Sequence, residues 1–361
     1  MRLNMHKLKN KFKRLFMSAA TIGTACLLAG CGAGAAAGTD NSSVTESQSG
    51  VNGSEQENAR SDSQKLQIVA TIFPEYDWVK EILGDQADNV DLTLLLGNGT
   101  DMHSFQPTME DILKVSTCDL FIYVGGESDS WVADALKGAG NPDRKAINLM
   151  DVLGDQVKEE EIVEGMQDED GHTHEEEHTH DDDLEYDEHV WLSLKNASLF
   201  CDIIASSLAD VDPEHSRLYQ QNAEAYEEKL AALDQEYQTS VEKSQSKTLL
   251  FADRFPFRYL IDDYNLTYYA AFAGCSAETD ASFETITFLA GKLDELNLPA
   301  VLTIENSDQK VAKAVIENTN TKDQKILTLN SMQSVTTKDV EEGTTYLSIM
   351  ENNLQILKEA L

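Results

Sequence analysis

Two stretches of this chain alternate short apolar strands with amphipathic helices, and a long helical run divides them. In the first, LQIVATIF reads as a strand, YDWVKEILGD as a helix closed by Gly84, and VDLTLLL as a second strand running into the loop GNGTDMHSFQPT. MEDILKVSTC, DLFIYVGG and SWVADALKGAG continue as helix, strand and helix. The second block runs KTLLFAD, FRYLIDDYN, LTYYAAF, FETITFLAGKLDELN, PAVLTIE, DQKVAKAVIENT and QKILTLN, and closes on the helix TYLSIMENNLQILKEAL. Between them, HVWLSLKNASLFCDIIASSLADV is amphipathic. After Pro213, Tyr219, Ala223, Tyr226, Leu230, Leu233 and Tyr237 recur at three- and four-residue steps, the spacing of one long helix. Alternation of this kind specifies an α/β fold. The expectation is two lobes, each a small, mainly parallel sheet flanked by helices, joined by one long helix, with a ligand cleft between the lobes where strand ends face each other. The expected divisions are an N-terminal lobe over 65–188, a helical segment over 189–246 and a C-terminal lobe over 247–361. A chain of 361 residues has room for both cores.

The first 64 residues read differently. MRLNMHKLKNKFKRLF carries six Lys/Arg and no acid, and the apolar stretch that follows is too short for a comfortable membrane span. Residues 1–30 therefore read as a secretory signal. Leu28-Ala29-Gly30-Cys31 resembles a bacterial lipobox, which would make Cys31 the acylated first residue of the exported protein. Residues 31–64, rich in Gly, Ser and Ala, read as a flexible tether with a reach of roughly 30 Å. The place expected for the folded part is the outer face of the bacterial cytoplasmic membrane. Cys118, Cys201 and Cys275 leave room for one disulfide and one thiol, and the sequence does not choose the pair.

Charge narrows the ligand. A formal net charge of −36 makes nucleic acid a poor partner and a cation a natural one. Residues 155–188 hold 17 Asp/Glu against one Lys, and within DEDGHTHEEEHTHDDD stand His172, His174, His178 and His180, half of the chain's 8 histidines. Their H-x-H pairs can chelate. Ordering a loop costs on the order of 1–2 kcal/mol per fixed residue, so such a loop binds more weakly and exchanges faster than a preformed site. It reads as a collector feeding a tighter site, with capture fading below about pH 6 as imidazoles protonate.

Two further histidines fall at strand–loop junctions: His103 in GTDMHSFQPT and His189 in YDEHVWLS. These stretches, with TIFPEYDWVKEILGD, CDLFIYVGG, SWV, YLIDDYNL and TYLSIMENNL, resemble the substrate-binding lipoproteins of metal ABC importers, the zinc- and manganese-receptor family. The likeness runs from about residue 66 to 361. It implies two α/β lobes on a rigid backbone helix, a divalent cation held in the cleft, and delivery to a membrane permease driven by separate ATPase subunits. His103 and His189 match the family's first two ligands, and acidic histidine loops mark its zinc receptors.

The chain then departs from that pattern. The third ligand of the family, a His or Glu five residues before a tyrosine, is matched by Arg254 before Tyr259, and a guanidinium cannot ligate. The stretch that supplies a fourth, usually a carboxylate, offers Asn330 and Gln333. Since zinc takes three or four protein ligands, other groups must complete the site. Asp253, Cys275, Asp280 and Glu305 are candidates, and Glu278 in GCSAETD is the favoured one, with Arg254 pairing a second carboxylate. The expected cargo is Zn2+. Mn2+ is the alternative, because two imidazoles with carboxylates also suit it. A monomeric receptor is expected. An adhesin or scavenger lipoprotein predicts no tight cleft site. A metal-dependent hydrolase needs an open metal position and a placed base, and no H-E-x-x-H, G-x-S-x-G or Walker element is present.

Overall fold

The computed structural model describes residues 65–361 except 139, 168–184 and 277–279, so the signal, the tether, Cys31, the four loop histidines and Glu278 lie outside the described residues. The first block forms β1 (Leu66–Ala70), α1 (Phe73–Leu83), β2 (Val90–Leu94), α2 (Met109–Thr117), β3 (Leu120–Tyr123), α3 (Val132–Leu136), β4 (Lys145–Asn148) and α4 (Leu149–Leu153). Helices α5 (Leu194–Val211) and α6 (Ser216–Lys243) follow. The second block forms β5 (Thr248–Phe255), α7 (Arg258–Asp263), β6 (Thr267–Ala273), α8 (Phe283–Leu296), β7 (Ala300–Ile304), α9 (Lys310–Glu317), β8 (Lys325–Leu329), α10 (Thr337–Glu341) and α11 (Tyr346–Ala360).

The two sheets share one topology. Their strand orders are β2-β1-β3-β4 and β6-β5-β7-β8, and every pairing is parallel. In each, the first strand is flanked by the second on one side and the third on the other, so the order of strand addition reverses beside it. In open α/β sheets, ligand sites lie at such a point, outside the carboxyl ends of the strands. Strand β4 went unread in the sequence because KAIN is four residues long, lies at the sheet edge and is half exposed.

Helix α6 spans 28 residues, roughly 42 Å at 1.5 Å per residue. The stripe read from its sequence is the face it buries: Tyr219, Ala223, Tyr226, Leu230, Leu233, Tyr237 and Val241. That face packs on α5 and α1 from one side and on α11 from the other. One apolar cluster runs without a break from Ile68 and Ile122 of the first sheet, through Trp78, Tyr219 and Tyr237, to Phe251, Leu302 and Leu329 of the second. Its polar atoms are tied across the lobes. Tyr237 donates to the Met350 carbonyl (2.6 Å), Tyr346 donates to the Trp191 carbonyl (2.7 Å), and the Tyr346 N–H donates to Asp77 (2.8 Å).

The described cysteines are all free. Cys118 and Cys201 are buried in separate apolar clusters, and Cys275 stands beside the histidines, so the disulfide for which the sequence left room does not form among them. No described helix is long and apolar enough to cross a membrane.

Candidate metal centre

The two histidines and Cys275 are each carried on a turn that follows a strand or precedes a helix. His103 sits in a short 3₁₀ turn beyond β2, whose N-cap Asp101 accepts the His103 N–H (3.1 Å). His189 precedes the 3₁₀ turn Val190–Leu192 and α5, and Asp187 accepts its N–H (2.8 Å). The two turns repeat one device, Asp-x-His. Asp101 Oδ1 lies 2.7 Å from His103 Nδ1, and Asp187 Oδ1 lies 3.1 Å from His189 Nδ1. A carboxylate only accepts, so each Nδ1 carries a proton, and each Nε2 is the ring nitrogen left to offer a metal its lone pair once it is unprotonated. The rings stand 5.1 Å apart, centroid to centroid.

His189 is fully buried. Burial opposes its charged form, but the carboxylates of Asp187, Glu188 and Asp101 outweigh this and raise its pKa above the ordinary value. For Asp101, burial acts upward, while His103 and Arg254 hold its carboxyl well below the usual carboxylate range.

Arg254 explains itself through the same aspartate. β5 carries one extra residue between Phe251 and Arg254 relative to β6, and this bulge turns the guanidinium toward the first lobe. Arg254 Nη2 donates to Asp101 Oδ2 at 2.9 Å, pairing the carboxylate that orients His103. Gln333 completes the bracket. Turned so that its oxygen faces donors and its nitrogen acceptors, its amide donates to Asp101 (3.2 and 3.3 Å) and its oxygen accepts from His189 Nε2 (3.3 Å) while that nitrogen carries a proton, which must leave before Nε2 can ligate.

Of the remaining candidates, Asp253 turns back onto the Arg254 N–H (2.9 Å). Asp280 is exposed, and its carbonyl faces the Gln167 amide (3.5 Å). Glu305 is committed elsewhere: its carboxylate accepts from the Ser331 N–H (2.6 Å), the Ser331 hydroxyl (2.8 Å) and the Gln333 N–H (3.0 Å), so it shapes the turn after β8. Asn330 builds that turn too, accepting the Met332 N–H (2.7 Å) while its own N–H donates to Asn353 (2.9 Å).

Cys275 is the candidate that joins the histidines. Its Sγ and one nitrogen from each of His103 and His189 all lie within 4.8 Å of one another. The turn after β6 brings it there because Gly274 has no Cβ. One added at that position would stand 2.9 Å from the Phe255 carbonyl and 3.1 Å from His189 Cε1. Burial, with Glu160, Asp187 and Glu188 nearby, pushes the uncomplexed thiol well above its ordinary pKa.

Glu188 is the group that motif reading missed, since it is the variable residue of Asp-x-His. It is 3% exposed, and its Oε2 lies 3.9 Å from His103 Nε2; both atoms are buried without a hydrogen-bond partner among the described residues. Its other oxygen accepts the Ser128 N–H (3.0 Å). The carboxylate fits only because Gly126, at φ +77°, has no side chain; a Cβ there would stand 2.2 Å from Oε1.

The acidic segment is rooted against this centre. Its stems pair as Glu160 N–H to the Glu185 carbonyl and Asp187 N–H to the Lys158 carbonyl, both 2.9 Å. Glu160 also accepts the Cys275 N–H (3.0 Å), and the Tyr259 hydroxyl donates to the Asp187 carbonyl (2.9 Å).

Two like-ordered parallel sheets, a long connecting helix and paired histidines define a two-lobed α/β fold with a candidate metal centre. The chain belongs to the ZnuA family, described as the periplasmic component A of a zinc-uptake complex, which it matches over residues 68–360. It is 32% identical over 299 residues to the zinc-binding lipoprotein AdcA of Streptococcus pneumoniae, covering 82% of this chain but 56% of that protein. It is 30% identical over 310 residues to the high-affinity zinc uptake system protein ZnuA of Bacillus subtilis, covering 86% and 92% of the two chains. The chain thus spans little more than half the length of AdcA. Zn(II)-bound AdcA of Streptococcus pneumoniae superposes with a TM-score of 0.64 at 28% identity, covering 82% of this chain and 58% of that one. The metal-dependent lipoprotein YcdH of Bacillus subtilis gives 0.65 at 27% identity, covering 82% and 99%.

Proposed function

We propose that this chain is an extracytoplasmic receptor that captures Zn2+ in the cleft and hands it to an ABC permease driven by separate ATPase subunits. One observation carries the reading: two imidazoles from different turns, each with Nδ1 fixed by an aspartate two residues upstream, stand 5.1 Å apart, and a nitrogen of each lies within 4.8 Å of the Cys275 sulfur. Imidazoles held in this way are oriented and made more basic before the cation arrives, which favours tight binding. The relatives named for zinc support zinc as cargo.

Cys31 anchors the protein by its acyl chains, and the tether holds the receptor close to the permease. The loop histidines His172, His174, His178 and His180 gather metal beside the cleft, consistent with stems whose pairing ends two residues before His189 and touches the Cys275 turn.

Zinc stoichiometry and affinity, by competition with a chromophoric chelator, test this in the full chain, in a chain lacking residues 168–183 and in His103→Ala. One tight site survives the deletion and vanishes with His103→Ala. Tight binding that disappears with the loop instead would make the protein a scavenger and refute a cleft receptor.

A further inference from the structure

We propose that Cys275 is the third protein ligand of the cleft and that the free oxygen of Glu188 closes the coordination shell, so that the cargo is held by two imidazoles, a thiolate and a carboxylate. The inference rests on the receptor reading and deepens it by naming the donor set and its preference.

Arg254 cannot ligate, and it is committed to Asp101. Two nitrogens alone leave a zinc ion short of its usual three or four protein donors. The Sγ of Cys275 and one ring nitrogen from each histidine lie within 4.8 Å of one another. A tetrahedral zinc ion with bonds of about 2.0–2.3 Å places its donors roughly 3.3–3.7 Å apart, so each side chain closes by less than about 1 Å. Glu188 is an independent pointer. Its buried Oε2 and His103 Nε2 face each other at 3.9 Å with no partner among the described residues, an arrangement that leaves two polar atoms desolvated for nothing unless a cation fits between them.

The fold is built to permit both contacts. Gly274 lets the Cys275 turn pass His189, and Gly126 makes room for the Glu188 carboxylate. On binding, the sulfur–metal bond forms as the S–H bond breaks, and the proton leaves to solvent. One soft thiolate biases the site toward zinc, cadmium and cobalt and against manganese, which prefers oxygen donors.

The test is one equivalent of Co2+ added to the purified full chain, read by absorption. A sulfur-to-cobalt charge-transfer band in the near ultraviolet reports a thiolate ligand, and the histidine loop, having no cysteine, cannot produce it. The wild type shows the band; Cys275→Ser loses it and binds zinc at least ten-fold more weakly, and Glu188→Gln keeps it with weaker zinc binding. Cys275→Asp, a second variant in case serine disturbs folding, loses the band but retains metal and shifts preference toward manganese. Tight binding that depends on His103 but shows no thiolate band overturns the inference and leaves the receptor reading standing. Unchanged zinc affinity in Glu188→Gln overturns the fourth position. Absence of any His103-dependent metal binding overturns the receptor reading together with this inference.

Discussion

Replacing Asp101 by asparagine isolates what the cross-cleft bracket does. Asp101 Oδ1 accepts both the ring Nδ1–H of His103 (2.7 Å) and its backbone N–H (3.1 Å), while Oδ2 takes the Arg254 guanidinium (2.9 Å). Asparagine keeps one oxygen for the His103 bonds but turns an NH₂ toward Arg254, donor against donor. A charge-assisted hydrogen bond contributes roughly 1.5–3 kcal/mol and a neutral one 0.5–1.5, so the ring loses about 1–1.5 kcal/mol of orientation and basicity. That is roughly ten-fold in affinity, and the stranded guanidinium brings the total toward the upper end of the 10–100-fold seen for such outer partners of metal-bound histidines. Chelator competition on wild type, Asp101→Asn, Arg254→Met and the double variant measures it. Arg254→Met alone weakens zinc binding less than Asp101→Asn, and the double variant is no weaker than Asp101→Asn, because the arginine acts through the aspartate. Zinc affinity within two-fold of wild type in Asp101→Asn would refute the orientation argument. Additive losses would refute the route through Asp101.

Three further outcomes follow from buried groups. Burial, with the charge of Asp129 nearby, lifts the Glu75 carboxyl from its ordinary 4.5 to about 8. A raised folded-state pKa stabilises fully below about pH 4.5, and that contribution is lost as pH rises through about 8. Urea melts at pH 5.5 and 8.5 should therefore show wild type losing at least about 1 kcal/mol relative to Glu75→Gln; parallel pH profiles would count against it. Gly274→Ala forces a Cβ against the Phe255 carbonyl and the His189 ring, so zinc affinity falls several-fold while the melting midpoint barely moves. An unaltered affinity there removes the close-approach argument. Trp191→Phe deletes the indole donor to the Ser331 carbonyl (2.9 Å) and costs about 1–3 kcal/mol in denaturant titrations, against a loss under 0.5 if that bond is idle.

The parts of the fold that repeat locally were readable in the chain. Helix α6 announced its buried face through residues three and four apart, and the long strands announced themselves as apolar runs, whereas β4 was too short and too exposed to do so. The two histidines were legible because each follows a recognisable strand or motif. Cys275 was only one candidate among several, and Glu278, the favoured third ligand, lies outside the described residues. What singles Cys275 out is a distance to residues far away in the chain, which depends on the close approach that Gly274 allows. Glu305 looked like a ligand at a strand end and turned out to clamp a turn, a distinction only hydrogen-bond partners make.

The apolar cluster that passes unbroken between the sheets has a kinetic consequence. Swinging the lobes apart would wet Trp191, Tyr346, Phe251 and their neighbours, at about 1.5–3 kcal/mol for each large side chain, and a handful of these exhausts the 5–15 kcal/mol that holds a typical domain together. The molecule is therefore poorly suited to work as a jaw. With the donor set proposed above, how long a bound metal stays would be set by the turns that carry His103 and Cys275, each only a few residues long. A docking partner that nudges either turn would shorten that waiting time without disturbing the rest of the molecule.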